Sequence, residues 1–286
     1  MKIAKKHLSS FNINEIDLHS DEYLKMLFDY YADQVDNKIQ SKLISELMIR
    51  YADVSKQLEI HNKHLEELVG EKVKEISASQ MATIHALVKS AESRDDDTGA
   101  HIERTSTFCK IIADKLFEAG IYLNLVNEAY SDNVSKASPL HDIGKVGIKD
   151  AILLKPGKLT EDEFTIMKTH VCIGYETLAS VGKLHPENMF IRTGIEIARY
   201  HHEKWDGSGY SEGLSGENIP LSARIMAVSD VYDALRSRRV YKEPFSHELT
   251  SSIIVEGIGK HFDPTLVDIF LKNDKMFDEV YNSLSN

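Results

Sequence analysis

The chain has 286 residues, 34 Lys and Arg against 45 Asp and Glu for a formal net charge of −11, and 42% apolar and 28% charged residues. That length and balance allow one large or two modest folded domains without disulfide or metal staples, and the acidic charge excludes a general duplex nucleic-acid surface. Thirteen histidines stand against two cysteines and one tryptophan, and Cys109 and Cys172 match no CxxC spacing, which suits a reducing compartment.

The amino terminus, MKIAKKHLSSFNINEID, has early lysines but no apolar stretch of about 7–15 residues behind them, so it lacks the layout of a secretory signal. No apolar run approaches the roughly 18 residues of a membrane span. A cytoplasmic protein is expected. Residues 1–40 read as a short helical region with Tyr23, Phe28, Tyr30 and Tyr31, without an assignable function beyond contact with a signalling partner.

Apart from Gly70, no glycine precedes Gly99 and no proline precedes Pro139, so a long helix is expected there. Over residues 41–80, Leu47, Tyr51, Val54, Leu58, His61, Leu65 and Leu68 alternate in steps of four and three, the seam of a coiled coil. His61 on the seam and the loss of register after Leu68 leave open a helix packed along its own domain. The favoured expectation is a parallel stalk that makes a homodimer.

From residue 81 to 286 apolar residues recur at helical spacing, as in Ile84, Leu87, Val88 and Ala91, then Ile191, Ile195, Ile197 and Ala198. Sustained period-two alternation is missing, so the fold class expected is all-α. The breakers gather at KPGKLT (155–160), WDGSGYSEGLSGENIP (205–220) and FDP (262–264), which read as loops between helices, the second long enough to be functional.

His101, His141, His170, His201 and His202 all fall within this helical region, and two of them sit beside other potential ligands. In HDIGK (141–145), Lys145 falls one helical turn after His141 and Asp142, so all three are expected on one face. Imidazole beside carboxylate, without thiolates, suits iron, manganese or zinc and hydrolytic chemistry. Any one of these histidines alone reads as an ordinary hydrogen-bonded imidazole.

The ordered combination of DTGAH (97–101), HDIGK (141–145), MKTH (167–170), HHEKWDGSGY (201–210) and SDVYDAL (229–235) resembles the HD-GYP family of bacterial HD-domain metal-dependent phosphohydrolases. The flanks ILLKPGKLT (152–160), IPLSARIMAVSD (219–230) and HFDPTLVDIF (261–270) match as well, so the resemblance runs over about residues 80–270. It implies an all-helical domain with two or three divalent metals, iron or alternatively manganese, that hydrolyses cyclic di-GMP to pGpG or GMP. Carried over by position, it implies His101, His141, Asp142, His170, His201, His202 and Asp230 as metal ligands, with Asp142 bridging. Asp97 stands where three-metal members have a glutamate; it reads equally as a third-metal ligand or as a helix cap in DDDTG.

Two metals suit this chemistry because a phosphodiester repels nucleophiles and has a poor leaving group, and a metal pair activates water and clamps phosphate oxygens. Lys145 is expected to stabilise the developing charge and assist departure of the ribose oxygen. The resemblance also implies substrate contacts from Tyr210, Arg239 and Lys242, although RSRRVYK (236–242) alone reads as a solvated basic face. Three prolines of the family pattern are replaced, by Ser211 in the signature loop, by Val171 after His170 and by Val240. Each change releases φ and restores an N–H, but none removes an expected ligand. Cys172, two residues from His170, reads as a buried inert thiol or a redox-sensitive one. Two other outcomes stay open: a non-catalytic cyclic-dinucleotide receptor working through the altered loop, and a phosphodiesterase that prefers a mixed cyclic GMP–AMP dinucleotide.

Overall fold

The computed structural model describes residues 25–28, 30, 38–92, 100–238 and 243–284. Asp97, Arg239, Val240 and Lys242 lie outside the described residues, as does most of the expected 1–40 region. Among the described residues every regular element is helical and none is a strand, as the spacing of apolar residues led one to expect. The chain divides into two units, residues 1–78 and 79–286.

In the first unit, residues 38–78 are helical throughout and belong to α1 (Lys38–Glu92). The breaker-poor sequence accounts for its length. Leu47, Tyr51, Val54, Leu58, Leu65 and Leu68 are all exposed on this helix, as are Ile60, Val69, Val73 and Ile76.

The second unit contains the last turns of α1 and ten shorter α-helices: α2 (Ala100–Glu118), α3 (Glu128–Ala137), α4 (Asp150–Leu153), α5 (Glu161–Lys168), α6 (His170–Gly182), α7 (Met189–Tyr200), α8 (Leu221–Arg236), α9 (His247–Glu256), α10 (Pro264–Lys272) and α11 (Asp274–Leu284). Polar residues start several of them. Asn127, Asn188 and Ser246 accept backbone N–H bonds at the beginnings of α3, α7 and α9, and Thr160 forms a reciprocal cap with Glu163 on α5. The FDP segment, expected as a loop, instead opens α10: Asp263 caps it and Pro264 takes the first turn, where its missing N–H costs nothing.

The main core joins α2 to α8, α10 and α11. Phe108, Ile112 and Leu116 are buried with Ile225, Met226, Tyr232, Leu266, Phe270 and Phe277. The Phe108 ring stacks on Phe277 at 4.7 Å and meets Tyr232 edge-on at 5.1 Å. Burying one such ring stabilises the fold by about 1.5–3 kcal/mol. A second, smaller cluster joins Ile84 and Val88 at the end of α1 to Ile102, Leu140, Ile143 and Leu178. Two of these residues, Ile102 and Leu140, directly neighbour His101 and His141 in sequence.

The HDIGK segment departs from the α-helical phase expected of it. Ser138–Leu140 and Ile143–Gly147 are 3-10 turns, with His141 ending the first and Asp142 starting the second. Residues three apart eclipse in such turns, so Lys145 comes over Asp142. Packing sets the geometry here: a Cβ on Gly144 would stand 1.9 Å from the carbonyl oxygen of His170, so only glycine lets this segment approach the start of α6.

Candidate metal centre

Six of the seven ligands expected in the described residues come from helix ends and turns. His101 lies in the first turn of α2, His141 and Asp142 between the 3-10 turns, His170 at the first position of α6, and His201 and His202 just beyond α7. Asp230 alone projects from a helix interior, that of α8. The fold brings these seven residues into two adjoining groups. In one, Asp142, His170, His201 and His202 present ligand atoms within 4.8 Å of one another; in the other, His101, His141 and Asp230 do the same.

Asp142 joins them. Its Oδ1 lies 3.2 Å from His170 Nε2 and 3.8 Å from His201 Nε2, while its Oδ2 lies 3.2 Å from His141 Nε2 and 2.9 Å from the Lys145 ammonium. One carboxylate therefore offers an oxygen to each side. His101 Nε2 stands 3.9 Å from Asp230 Oδ1, and the His101 and His141 rings are 5.5 Å apart.

The donors are aimed from behind. Nδ1 of His141, His170 and His201 bonds to the carbonyl oxygens of Ser138, Met167 and Ile197 at 2.9, 2.8 and 2.9 Å. A carbonyl accepts only, so each Nδ1 carries the proton and each Nε2 presents a lone pair inward. For His101 the corresponding partner is Asp233, whose Oδ2 is 2.7 Å from Nδ1. Asp233 also receives Arg104 Nε at 2.5 Å and Nη2 at 2.8 Å, and both residues are buried.

Electrostatics agrees with ligand duty. Burial alone would raise the Asp142 carboxyl, but the Lys145 ammonium and the His141 imidazole outweigh it and hold Asp142 well below the usual carboxylate range. Burial and then the adjacent His202 push His201 well below its ordinary value, and burial takes His202 down to about 4. Neutral imidazoles facing an ionised carboxylate are the protonation states that metal ligation needs.

The residues present fit divalent metal ions. Nε2 of His170, Nε2 of His201 and Oδ1 of Asp142 are buried without a hydrogen bond, a costly arrangement unless something further shares those lone pairs. Nitrogen and oxygen donors without sulfur suit iron, manganese or zinc.

Tyr210 lies against this centre. Its ring stacks on His202 at 4.7 Å and 28°, and the exposed Phe164 stands 6.2 Å beyond it. Cys172 is half-buried rather than sealed, with Arg199 Nη1 at 3.1 Å from its sulfur. Cys109 is the inert thiol, fully buried and pushed up to about 12 by that burial. Arg104, Glu203 and Asp233 are among the buried charged residues to which the motifs gave no role. Asp233 had one sequence signal, its place three residues after Asp230 on the same helix.

Comparison with known proteins bears on the family. The family model described as HD domain matches residues 103–266. A probable cyclic di-GMP phosphodiesterase of Vibrio cholerae is 49% identical over 77% of this chain and 50% of its own length. The cyclic di-GMP phosphodiesterase response regulator RpfG of Xanthomonas campestris is 40% identical over 77% of this chain and 55% of its own. A 3'3'-cGAMP-specific phosphodiesterase of Vibrio cholerae is 40% identical over 70% of this chain and 36% of its own. The chain thus spans about half the length, or less, of these curated relatives.

Proposed function

Because the chain belongs to the HD domain family, in its HD-GYP branch, we propose that it is a metal-dependent phosphodiesterase that hydrolyses cyclic di-GMP to pGpG, GMP or both. The observation that carries this reading is the position of Asp142, with one oxygen toward His170 and His201 and the other toward His141. A carboxylate that two metals could share suits the paired-metal chemistry of phosphodiester hydrolysis. In our reading His101, His141 and Asp230 hold one metal, His170, His201 and His202 the other, and Asp142 both. Iron is the metal we favour, with manganese as the alternative, and Asp97 is the residue we assign to a third.

Divalent ions so held supply Lewis acidity, which neutralises phosphate charge and makes water a nucleophile at neutral pH. The chain's own residues do the rest. The Asp142 carboxylate stays ionised because Lys145 lies 2.9 Å away. The same ammonium is placed to meet the negative charge that develops on the phosphoryl oxygens and the departing ribose oxygen. Tyr210 sits at the edge of the centre, where a phosphate or a guanine would lie, and Arg239 and Lys242 are assigned to the remaining phosphate charge. The carbonyl bonds behind His141, His170 and His201 keep those rings from turning during the cycle.

Around this site we place a homodimer formed through residues 41–80. The exposed row from Leu47 to Leu68 supports it, since a lone helix with such a stripe in water gains nothing from those side chains. We assign residues 81–286 to the phosphohydrolase domain and residues 1–40 to contact with an input partner. No described helix is long and apolar enough to cross a membrane, and we place the protein in the cytoplasm.

The test is product analysis on cyclic di-GMP with protein purified anaerobically in iron, and separately in manganese, together with metal quantification. Conversion to pGpG or GMP with about two or three metals per chain is expected. Absence of turnover with both metals would refute the assignment, and tight binding without hydrolysis would make the chain a receptor. The 40% identity to a 3'3'-cGAMP-specific enzyme favours a second reading, in which mixed cyclic GMP–AMP is the better substrate. Competition between the two dinucleotides separates them.

A further inference from the structure

Glu203 follows the paired histidines directly, yet its side chain is 2% exposed and belongs to neither ligand group. A carboxylate so buried needs strong donors. They come from one loop: the backbone N–H groups of Glu212 and Gly213 donate to Oε1 at 2.6 and 3.0 Å. Two charge-assisted bonds from consecutive amides gather that part of the chain onto a single oxygen.

The same loop carries Tyr210. Gly209 lies against the backbone of Glu203 and Lys204 so closely that a Cβ would stand 2.4 Å from Lys204 N and 2.5 Å from Glu203 Cα. The Tyr210 N–H donates to the His202 carbonyl at 3.2 Å, and its ring stacks on the His202 imidazole. Between Tyr210 and the two gathered amides stands Ser211 at φ +133°. That conformation is rare for an L-residue and closed to proline, whose ring fixes φ near about −65°. The loop in this chain therefore takes its shape from a carboxylate beneath it.

We propose that Glu203 is a positioning residue, whose carboxylate closes the 205–216 loop and holds Tyr210 on His202 in the place where a cyclic dinucleotide is received. This rests on the phosphodiesterase reading above. It follows that Ser211→Pro does not repair the family pattern in this protein, because the backbone there is already committed to a φ that proline cannot adopt. Trp205, the single tryptophan, stands at the base of the loop: its backbone N–H donates to the His261 carbonyl at 3.1 Å and its backbone carbonyl accepts the Gly216 N–H at 2.8 Å. Its fluorescence reports the state of the loop without a label.

The experiment compares full-length, metal-loaded wild type with Glu203→Ala, Glu203→Gln and Ser211→Pro. It measures kcat and KM on cyclic di-GMP, metal per chain, and acrylamide quenching of Trp205. Glu203→Ala is expected to raise KM roughly tenfold with kcat within about twofold, the signature of lost binding rather than lost chemistry. Metal per chain stays unchanged and quenching increases. Glu203→Gln keeps one carbonyl acceptor and recovers most of the lost KM; Ser211→Pro behaves like Glu203→Ala. Wild-type KM in folded Glu203→Ala overturns the proposal, as does a loss of metal in step with activity, which would mean that Glu203 acts on His202 alone. Should Glu203→Ala fail to fold, Glu203→Gln and Ser211→Pro decide, and wild-type KM and quenching in both overturn it. Should the wild type turn nothing over, the phosphodiesterase reading fails by itself. Quenching then decides the clamp, and equal values in wild type and Glu203→Ala overturn it.

Discussion

Asp233→Asn changes one atom for another of similar size and tests how the first metal group is held. Asp233 is 1% exposed and receives Arg104 through Nε at 2.5 Å and Nη2 at 2.8 Å, with His101 Nδ1 at 2.7 Å. Removing its charge takes the counter-charge from a guanidinium that is 4% exposed, while the Ser237 hydroxyl at 3.1 Å and the Tyr281 ring at 5.0 Å remain beside it. Breaking a buried pair in this way costs about 3–5 kcal/mol. For a unit of this size each kcal/mol lowers Tm by about 2–4 °C, so a fall of roughly 10 °C is expected. A second effect is chemical. The asparagine oxygen turns to Arg104, which leaves the amide NH2 facing His101 Nδ1. His101 then carries its proton on Nε2, where the lone pair is needed, and metal affinity in the His101, His141 and Asp230 group falls about 10–100-fold. Differential scanning calorimetry of metal-free protein and elemental analysis at limiting metal read the two effects separately. A Tm within about 2 °C of wild type, together with full metal occupancy, would refute both halves of the reasoning.

Joint replacement of His141 and Asp142 by alanine removes a ligand from one group and the shared carboxylate, and turnover of cyclic di-GMP should fall by at least about 10³-fold; residual turnover above that bound contradicts the assignment. His261 is held near 4 by burial and by Lys204. Its folded value is below the unfolded one of about 6.5, so its contribution to stability is complete above that pH and is lost as pH falls toward 4. Discounted for partial exposure, the loss is about 1–2 kcal/mol, and His261→Gln should flatten the slope of stability against pH across this window in urea titrations. Leu58→Lys with Leu65→Lys places charge on the proposed dimer seam of α1 and should halve the mass measured by sedimentation; a wild type that already sediments as a monomer at micromolar concentration would remove the premise. Gly144→Ala drives a methyl group into the His170 carbonyl, and should lower stability by about 3 kcal/mol or more, with thermal unfolding as the check.

The helical class was legible in the sequence because apolar spacing is local, and the grouping of His101, His141, Asp142, His170, His201, His202 and Asp230 was implied by the family resemblance that their motifs carry. What was hidden is non-local or carried by the backbone. Arg104 and Asp233 are 129 positions apart, and no local spacing pairs them. The carbonyls of Ser138, Met167 and Ile197 that aim three imidazoles belong to backbone groups that every residue has. HDIGK misled in a specific way: the spacing of Lys145 from His141 and Asp142 was read as one α-helical turn, but the contact of Gly144 with the start of α6 goes with 3-10 turns instead. Glu203 received no role from the sequence, and only the returning loop shows that it is enclosed.

The small apolar cluster at the end of α1 has a thermodynamic consequence. Val88, at 1% exposure, touches the layer that contains Ile102 and Leu140, and each of those adjoins a residue of the metal centre. A close-packed interior resists compression, so movement of the final turns of α1 presses on the backbone that carries His101 and His141. Linkage makes such coupling reciprocal. Whatever α1 does to metal affinity, metal loading does to α1 with the same free energy, and amide hydrogen exchange in its final turns should slow when metal is added, even though among the described residues α1 contributes none to either ligand group.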